Sequence, residues 1–387
     1  MTKIQKIVGI PLIAFCIFFF VYLFTSSGQT PYDYFTRLSD AFLAGKYYLT
    51  ENPSWLSELI PAGDGKYFVV YPPMPAILLM PFRALFGEIF QQQYLAHILG
   101  AGIVALTILI SWSLKKDRKL AIWSGVLIGA GSIVWFLSSV GSSWYLGQVS
   151  AAFFISAAIL ESLNRKRSLL VGVFLGAAFL SRLQTILTLP LFLFVLYQRQ
   201  WFKKYLLLGL GILPFIAFNF YYNFIRFGVI WDKAYLLIPG LLQEPWYQGG
   251  LFNLANIPNH LRVIFASFPI ITKEFPYFKP PLGGLAIWIT TPAFVYSLFA
   301  KIKERAIQVS WFVIILVSLV IFSHGTTGFT QFGYRFAVDF YPILTFLTIK
   351  GVIKTNLKWH HWLLLIIGVV VNIWGVLFIN KLGLFSF

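Results

Sequence analysis

The sequence has few charged residues and almost no cysteine. Charged side chains make up 11% of the 387 residues, whereas an ordinary soluble domain carries about 25%. A soluble chain of this length would need polar surfaces around two or three cores, and there are too few polar residues to cover them. The single cysteine rules out an intrachain disulfide framework. These shortages exclude the soluble, disordered and fibrous classes of protein.

Apolar and aromatic residues are abundant instead. They account for 58% and 19% of the chain, in uninterrupted apolar runs of roughly 17–22 residues. Such runs, without the alternation typical of barrel strands, predict helices that cross a bilayer. We predict an all-α integral membrane protein with about eleven transmembrane helices. The predicted spans are 5–25, 94–114, 120–139, 148–163, 168–186, 187–200, 205–225, 283–300, 307–323, 336–350 and 361–380.

The residues behind the net charge of +17 are distributed unevenly between the connections that join these spans. Alternate connections hold 18 of the 30 Lys and Arg residues, but only three of the 13 Asp and Glu residues. The positive-inside rule places those connections in the cytoplasm, with the amino terminus on the same side and the carboxyl terminus outside. The excess of positive charge is therefore explained by membrane topology, and a nucleic-acid partner is not expected.

Two long segments interrupt an otherwise compact single membrane domain, 1–387. They are 26–93 and 226–282, and they contain nine of the ten acidic residues predicted to lie outside. Long structured loops in compact proteins are usually functional. Both segments are rich in aromatic residues, so we expect extracytoplasmic loops with helices lying along the membrane surface.

Residues 30–45 predict an amphipathic helix in the first loop, with Thr30 as N-cap and Gly45 as its stop. Asp33 and Asp40 fall on one stripe, with an arginine between them. This spacing has two interpretations. Either the stripe presents carboxylates to a site at the membrane boundary, or it is an ion-pair ladder on a solvated face.

A third acidic candidate in this loop is Asp64, within the sequence Gly63-Asp64-Gly65. Glycine on both sides predicts a turn, and a β-like apolar stretch follows it. Asp64 is therefore either a plain turn former or a further carboxylate available to a site.

Several short motifs together resemble the GT-C superfamily of membrane glycosyltransferases, in the group related to protein O-mannosyltransferases and aminoarabinose transferases. The first is Asp33-Tyr34 just beyond the first span, followed by LAG and by YPPMP. The others are YYNFIRFG (221–228) and HGTTGFTQFGYRFAVDFYPIL (324–344). Each motif is short, and the resemblance lies in their combination and order along most of the chain.

This resemblance implies a glycosyltransferase that uses a polyprenyl-phosphate-linked sugar donor at the extracytoplasmic face. The acceptor would be a hydroxyl or amine on a lipid-linked glycan or a protein. The resemblance also implies a first-loop carboxylate as general base or acceptor-orienting group. Asp33 is its best match, and Asp40 and Asp64 remain alternatives. The paired acid common in such enzymes is absent at this point, so no cofactor or metal site is identified, although a divalent metal stays open.

A departing lipid phosphate needs fixed cations beside it. Arg335, in the Gly-rich motif before the tenth predicted span, is the leading candidate, and Arg182 at the outer end of the fifth is the second. The alternatives are an ordinary interfacial arginine for Arg335 and an arginine snorkelling to the surface for Arg182.

Aromatic and polar residues near the same face are candidates to border a sugar. The competing interpretation is that the aromatic residues belong to the aromatic belt at the membrane surface and that the histidine is structural. These candidates are Tyr34, Trp144, Tyr145, Gln148 and His324. His97, early in the second predicted span, requires only a hydrogen-bond partner.

Two other functions stay open from the sequence. A transporter or flippase of a lipid-linked substrate would place ionisable residues in the middle of spans. Here the centres of the spans are almost free of charge, which favours chemistry at the surface over passage across the membrane. A non-catalytic scaffold with the same fold is the remaining alternative.

Overall fold

The structure, a computed structural model, describes residues 9–197 and 200–383. That part of the chain is mostly helical, with two short antiparallel hairpins. Its α-helices are α1 Gly9–Phe24, α2 Tyr34–Leu43, α3 Met74–Phe86, α4 Gln92–Leu114, α5 Arg118–Gly129, α6 Val134–Val140, α7 Ser143–Leu163, α8 Ser168–Ser181, α9 Leu189–Leu196, α10 Trp201–Phe227, α11 Ile257–Ala266, α12 Ile287–Thr290, α13 Arg305–Ser323, α14 Tyr341–Thr355 and α15 Trp359–Val376. Its strands are β1 Leu59–Pro61, β2 Tyr67–Val69, β3 Ile270–Ile271 and β4 Phe278–Lys279.

The centre of the bundle is formed by α4 and α7, which pack against each other. On one side α4 also contacts α1 and α5, and on the other side α7 contacts α8, which in turn packs on α10. Small residues allow the closest approaches. A Cβ on Gly172 of α8 would lie 2.1 Å from a backbone oxygen of α10. The sequence therefore places glycine where two helices meet at backbone distance.

The chain is an integral membrane protein, and its helices are long and apolar enough to span a bilayer in five places within the described ranges. Those five are α4, α7, α10, α13 and the stretch Trp359–Lys381 that begins with α15. The pair α5 and α6 makes a sixth candidate, bent by 53°. The bend falls at a Gly-Ala-Gly-Ser sequence, where helices commonly kink.

The predicted number of eleven spans is not confirmed. Several of the shorter apolar runs form pieces that are too short to cross a bilayer alone. The run 283–300 divides at Pro292 into the four-residue α12 and a 3₁₀-helix, Pro292–Phe299. The 3₁₀-helix packs against α14 and buries Ala293, Phe294 and Tyr296, whereas Leu298 and Phe299 at its end stay exposed.

The first long loop begins with α2, as the amphipathic pattern predicts, but the helix begins later than predicted. Asp33 occupies the N-cap position. The hydroxyl of Thr30 instead accepts a hydrogen bond from the backbone N–H of Tyr32, in a turn before the helix. The apolar face of α2 is buried and packs against α3. This helix is therefore part of the protein core.

The same loop contains the predicted turn at Gly63-Asp64-Gly65. All three residues have left-handed φ angles, between 51° and 81°, a conformation that favours glycine. They connect β1 to β2, with Leu59 opposite Val69. The prediction of a turn followed by a β-like stretch is confirmed.

The second long loop, after α10, has less regular structure than the first. It passes through short 3₁₀ turns, Ala234–Leu237, Leu241–Gln243 and Pro245–Tyr247. It continues into α11, an amphipathic helix as expected for this loop, and into the hairpin of β3 and β4. The 3₁₀ turns carry Tyr235 and Tyr247 towards the Gly-rich segment that precedes α14.

Candidate functional site

The first predicted carboxylate, Asp33, is buried and held by an arginine. Its Oδ1 accepts a hydrogen bond of 2.8 Å from Nε of Arg37, one turn along α2. The Nη1 of the same arginine lies 2.7 Å from Oε2 of Glu51. The i,i+4 pair of the predicted ladder is therefore present, but the second carboxylate on Arg37 is Glu51 rather than Asp40, and Asp33 is not on a solvated face.

The second predicted carboxylate, Asp40, makes a bidentate ion pair with Arg83. The Nε and Nη2 atoms of Arg83 lie 2.7 Å and 2.6 Å from its two carboxylate oxygens. Arg83 is almost fully buried and also donates to the carbonyls of Gly87 and Phe90. This pair fastens α2 to α3, and both oxygens of Asp40 are used in doing so.

The third predicted carboxylate, Asp64, projects from the tip of the β1–β2 turn. Its side chain is 90% exposed, and its nearest cation is Lys66 at 3.8 Å. An exposed carboxylate with no enclosing wall does not form a pocket for a substrate. Its position agrees with the interpretation as a turn former.

A carboxylate that the sequence patterns did not single out, Glu58, lies beside two of the predicted substrate residues. Oε2 of Glu58 accepts a hydrogen bond of 3.0 Å from Nε1 of Trp144. Its backbone N–H donates to the phenolic oxygen of Tyr34 at 3.1 Å. Glu58 is half-buried, and in the described part of the chain no cation lies within ion-pair distance of it.

Burial raises the pKa of Glu58 to about 7, and the negative charge of Glu244 acts in the same direction. The hydrogen bond from Trp144 and the positive charge of Arg335 oppose this rise. A carboxyl group with a pKa near neutrality exchanges its proton easily at physiological pH. Glu58 therefore has the electrostatic setting that suits a general base.

The predicted phosphate ligand Arg335 is buried at the same face of the bundle. Its Nε donates to Oε1 of Gln331 at 2.9 Å. The guanidinium carbon lies 5.5 Å from the ring centre of Tyr145 and 5.0 Å from that of Phe336. Among the described residues, Nη1 and Nη2 have no hydrogen-bond partner and no carboxylate within ion-pair distance. These N–H groups are free to bind an anion.

The backbone of Arg335 is also fixed. The side-chain amide of Gln148 donates to its carbonyl oxygen at 3.1 Å. The hydroxyl of Tyr145 donates to the carbonyl of Thr330 in the same Gly-rich segment. Two of the predicted substrate residues therefore hold the arginine segment in place, on the side of α7.

The second predicted cation, Arg182, follows directly after α8 and is already paired. Its Nη2 lies 3.1 Å from Oδ2 of Asp339, which also accepts a 2.6 Å hydrogen bond from Gln184. Its guanidinium carbon is 5.9 Å from the ring centre of Phe336. The two arginines therefore share contact with one aromatic ring, but only Arg335 lacks a carboxylate partner.

His324 contributes to the wall of this site as a neutral ring. Burial lowers its pKa to about 4, which leaves it uncharged at neutral pH. Its Nδ1 lies 3.0 Å from the carbonyl oxygen of Thr326, and its ring packs against Tyr247 and Phe336. These contacts agree with the interpretation as a structural histidine.

The folded chain thus brings together Glu58, the phosphate candidate Arg335 and the predicted substrate residues around them. Asp33 lies next to this group, because the ring of the preceding residue, Tyr32, packs against that of Trp144, with ring centres 4.6 Å apart and planes tilted by 53°. Asp40 and Asp64 lie elsewhere in the first loop. Within residues 9–197 and 200–383, no cluster of three or more His, Cys, Asp and Glu side chains is arranged to hold a metal ion.

Comparison with solved structures identifies the fold. The chain is similar to ArnT from Cupriavidus metallidurans, whose crystal structure contains undecaprenyl phosphate, with a TM-score of 0.54 and 13% sequence identity. The match covers 95% of this chain, which spans 63% of the length of ArnT. No protein-family model matches the chain, and no curated protein matches its sequence. The likeness shows that the chain has a fold similar to that of ArnT.

Proposed function

We propose that this protein transfers a sugar from a polyprenyl-phosphate-linked donor to an acceptor hydroxyl or amine at the extracytoplasmic face of the membrane. The observation that carries the proposal is the buried guanidinium of Arg335, whose Nη groups are unpaired among the described residues, near the half-buried carboxyl of Glu58. The GT-C-like fold supports it further, since the similar ArnT structure was solved with a polyprenyl phosphate bound.

Arg335 would bind the phosphate of the donor. Its two unpaired Nη groups offer planar N–H donors, which match two oxygens of a phosphate. Arg182 would add a second positive charge nearby, although Asp339 holds its side chain. As the phosphate departs it gains negative charge, and fixed cations in a buried site stabilise that charge strongly.

Glu58 would act as the general base. In the reaction, the acceptor oxygen or nitrogen forms a bond to the anomeric carbon of the sugar, while the bond from that carbon to the phosphate oxygen breaks. The electron pair leaves with the polyprenyl phosphate, and the acceptor proton moves to the carboxylate of Glu58. Phosphate is a stable leaving anion, so a single carboxylate suffices, unlike the pair used in glycoside hydrolysis.

Asp33, which the family resemblance favours, is the competing base. Its position beside the wall formed by Tyr32 and Trp144 supports a role near the substrate. However, its Oδ1 already accepts a hydrogen bond from Arg37. Substitution of Glu58 and of Asp33, one at a time, distinguishes the two choices.

The proposed orientation places both long loops outside the cell, as the positive-inside pattern predicts. In this orientation the proposed acceptor is a lipid-linked glycan or a protein on the extracytoplasmic side. In this proposal residues 1–387 form one polytopic membrane domain.

The test uses purified protein in proteoliposomes that contain a polyprenyl-phosphate sugar labelled in the sugar, with cell-envelope extract as the source of acceptor. Wild type should release polyprenyl phosphate and move the label to a new product, and Arg335→Ala should do so about tenfold to 100-fold more slowly when donor is limiting. Labelled lipid that crosses the bilayer without any glycosylated product would favour the transporter alternative and overturn the proposal.

A further inference from the structure

One carboxylate beside the phosphate site takes no part in the proposed transfer of sugar. Asp339 is the last residue of a short 3₁₀-helix, Arg335–Asp339, and its side chain is completely buried. Its Oδ2 accepts hydrogen bonds from Nε and Nη2 of Arg182, at 3.4 Å and 3.1 Å, and from Gln184 at 2.6 Å. Asp339 therefore lies in the segment of Arg335, but its charge is paired with that of Arg182.

The geometry of the 3₁₀-helix explains why Asp339 does not pair with Arg335. The two residues are four positions apart, a spacing at which opposite charges pair on an α-helix. A 3₁₀-helix has three residues per turn, so the fourth residue along points about a third of a turn away. Among the described residues, Arg335 has no carboxylate within ion-pair distance. One arginine of the site is therefore neutralised, and the other keeps its full charge.

The two arginines nevertheless share one electrostatic environment. Their guanidinium carbons lie 5.9 Å and 5.0 Å from the ring centre of Phe336. The two carbons therefore cannot be much more than about 10 Å apart, which is the Debye length at 0.1 M salt. Burial lowers the pKa of Arg335, and the positive charge of Arg182 acts in the same direction. An anion bound at Arg335 is therefore affected by the charge at Arg182, and by its neutralisation.

The two phosphates of the proposed reaction differ in charge. The sugar donor is a phosphodiester and carries one negative charge. The departing polyprenyl phosphate is a phosphomonoester, whose second pKa of about 6 brings it close to two negative charges above neutral pH. A dianion gains twice the free energy of a monoanion from each positive charge added nearby. A second cation without a counter-charge would therefore favour the product over the donor.

We propose that Asp339 is a specificity-determining residue, which neutralises Arg182 and so prevents the phosphate site from holding the dianionic product too tightly. The inference rests on the proposed function and adds to it how the product is released. Nη1 of Arg182 makes no hydrogen bond to any described residue. Arg182 therefore offers the site a hydrogen-bond donor without adding to its net charge.

Calorimetric titration of the purified full-length protein in detergent tests this inference with two probes. Farnesyl phosphate is the monoester, and methyl farnesyl phosphate is the diester. Neither probe carries a sugar, so the readout is binding alone. The titrations are made at pH 8, where the monoester is a dianion. The measured quantity is the affinity ratio, which is the affinity for the monoester divided by the affinity for the diester.

Asp339→Asn should tighten binding of the monoester about tenfold and of the diester about threefold, because the added charge acts twice on the dianion. The affinity ratio should therefore increase about threefold. The substitution can preserve the present hydrogen bonds. The amide nitrogen would take the place of Oδ1, an atom that has no hydrogen-bond partner among the described residues.

A second variant changes the charge in the opposite direction. Arg182→Gln leaves the charge of Asp339 without a partner and should weaken binding of the monoester more than that of the diester. The double variant Arg182→Gln/Asp339→Asn removes both charges and should restore the wild-type affinity ratio. A carboxylate that only stabilised the fold would not produce this restoration. If Asp339→Asn does not fold, an unchanged ratio in Arg182→Gln overturns the inference.

Glu161→Gln is the matched control, since it removes the charge of a buried carboxylate that pairs with Arg167, at the opposite end of α8. Helix α8 has 14 residues, so this pair is about 20 Å from Arg182. The control should leave the affinity ratio unchanged. An unchanged ratio in folded Asp339→Asn, with both probes bound by wild type, would overturn this inference and leave the proposed function standing. Wild type that binds neither probe would overturn the proposed phosphate site, and this inference with it.

Discussion

In the first loop, carboxylates lie on helix α2 and in the segment just before β1, and their hydrogen-bond partners differ. On α2, Asp33 and Asp40 each accept a hydrogen bond of 2.8 Å or less from an arginine. Before β1, Glu58 accepts from the indole of Trp144 and from no other described donor, and burial raises its pKa to about 7. A carboxylate already bound to a cation stabilises the fold, whereas one held by a neutral donor remains able to take a proton.

The largest expected effect comes from substituting one carboxylate of each kind, Glu58 and Asp33, in separate variants. Glu58→Gln should lower the turnover number at least about 100-fold, since positioned general bases typically contribute factors of about 10²–10⁴. Asp33→Asn should keep activity within about tenfold of wild type. The measurement is the rate of polyprenyl phosphate release at saturating donor. An inactive Asp33→Asn beside a fully active Glu58→Gln would reverse the comparison and restore Asp33 as the base.

The two arginines provide the next comparison. Arg335→Ala should weaken binding of the donor lipid about tenfold to 100-fold. The substitution removes the Nη groups, which have no partner among the described residues and would make charge-assisted hydrogen bonds to the phosphate. Arg262→Ala, on the exposed side of α11, is a control and should leave donor binding unchanged. Binding is measured by titration with polyprenyl phosphate in nanodiscs. If Arg335→Ala binds donor like wild type, the phosphate lies elsewhere.

The pH dependence of the wild-type rate sharpens the comparison further. The base must be deprotonated, so turnover should increase about tenfold per pH unit below pH 7 and level off above it. His324 does not interfere in this range, because burial lowers its pKa to about 4. The profile is measured from pH 5 to pH 9 at saturating donor. A rate that is already level at pH 5.5 would exclude Glu58 as the base.

The smallest effects concern stability alone. Asp40→Asn removes the charge that pairs with the buried Arg83 and should lower the unfolding free energy by about 1–3 kcal/mol. Asp64→Asn, at an exposed turn, should change it by less than about 0.5 kcal/mol. Thermal unfolding in detergent measures both variants. Both should retain transfer activity at low temperature, and loss of activity in a folded Asp40→Asn would indicate a catalytic role.

The sequence predicts local features of this molecule better than it predicts long-range ones. The turn at Gly63-Asp64-Gly65 and the helix that carries Asp33 and Asp40 follow from residues close together in the chain. The membrane class follows from composition, and the ArnT-like fold agrees with the resemblance that a combination of short motifs carries. The number of spans does not follow, because an apolar segment buried inside the bundle resembles one that faces lipid.

The candidate site shows the same limit. Arg335 can be found from its motif, since glycine and aromatic residues surround it. Glu58 stands in the sequence SELIPAG, which has no recognisable pattern. Its importance depends on Trp144, 86 positions later, and on the field of Arg335. Likewise, the sequence does not reveal that Arg182, a predicted phosphate ligand, is paired with Asp339, 157 positions away.

The glycine-flanked tip between β1 and β2 offers direct experimental access to the proposed topology. Asp64 is exposed there, and the only native cysteine, Cys16, lies within α1. A cysteine placed at Asp64, in a chain with Cys16→Ser, would carry a single maleimide label. A membrane-impermeant reagent would react with intact cells only if this tip faces outward. The turn that contributes least to the proposed chemistry can therefore show on which side of the membrane that chemistry takes place.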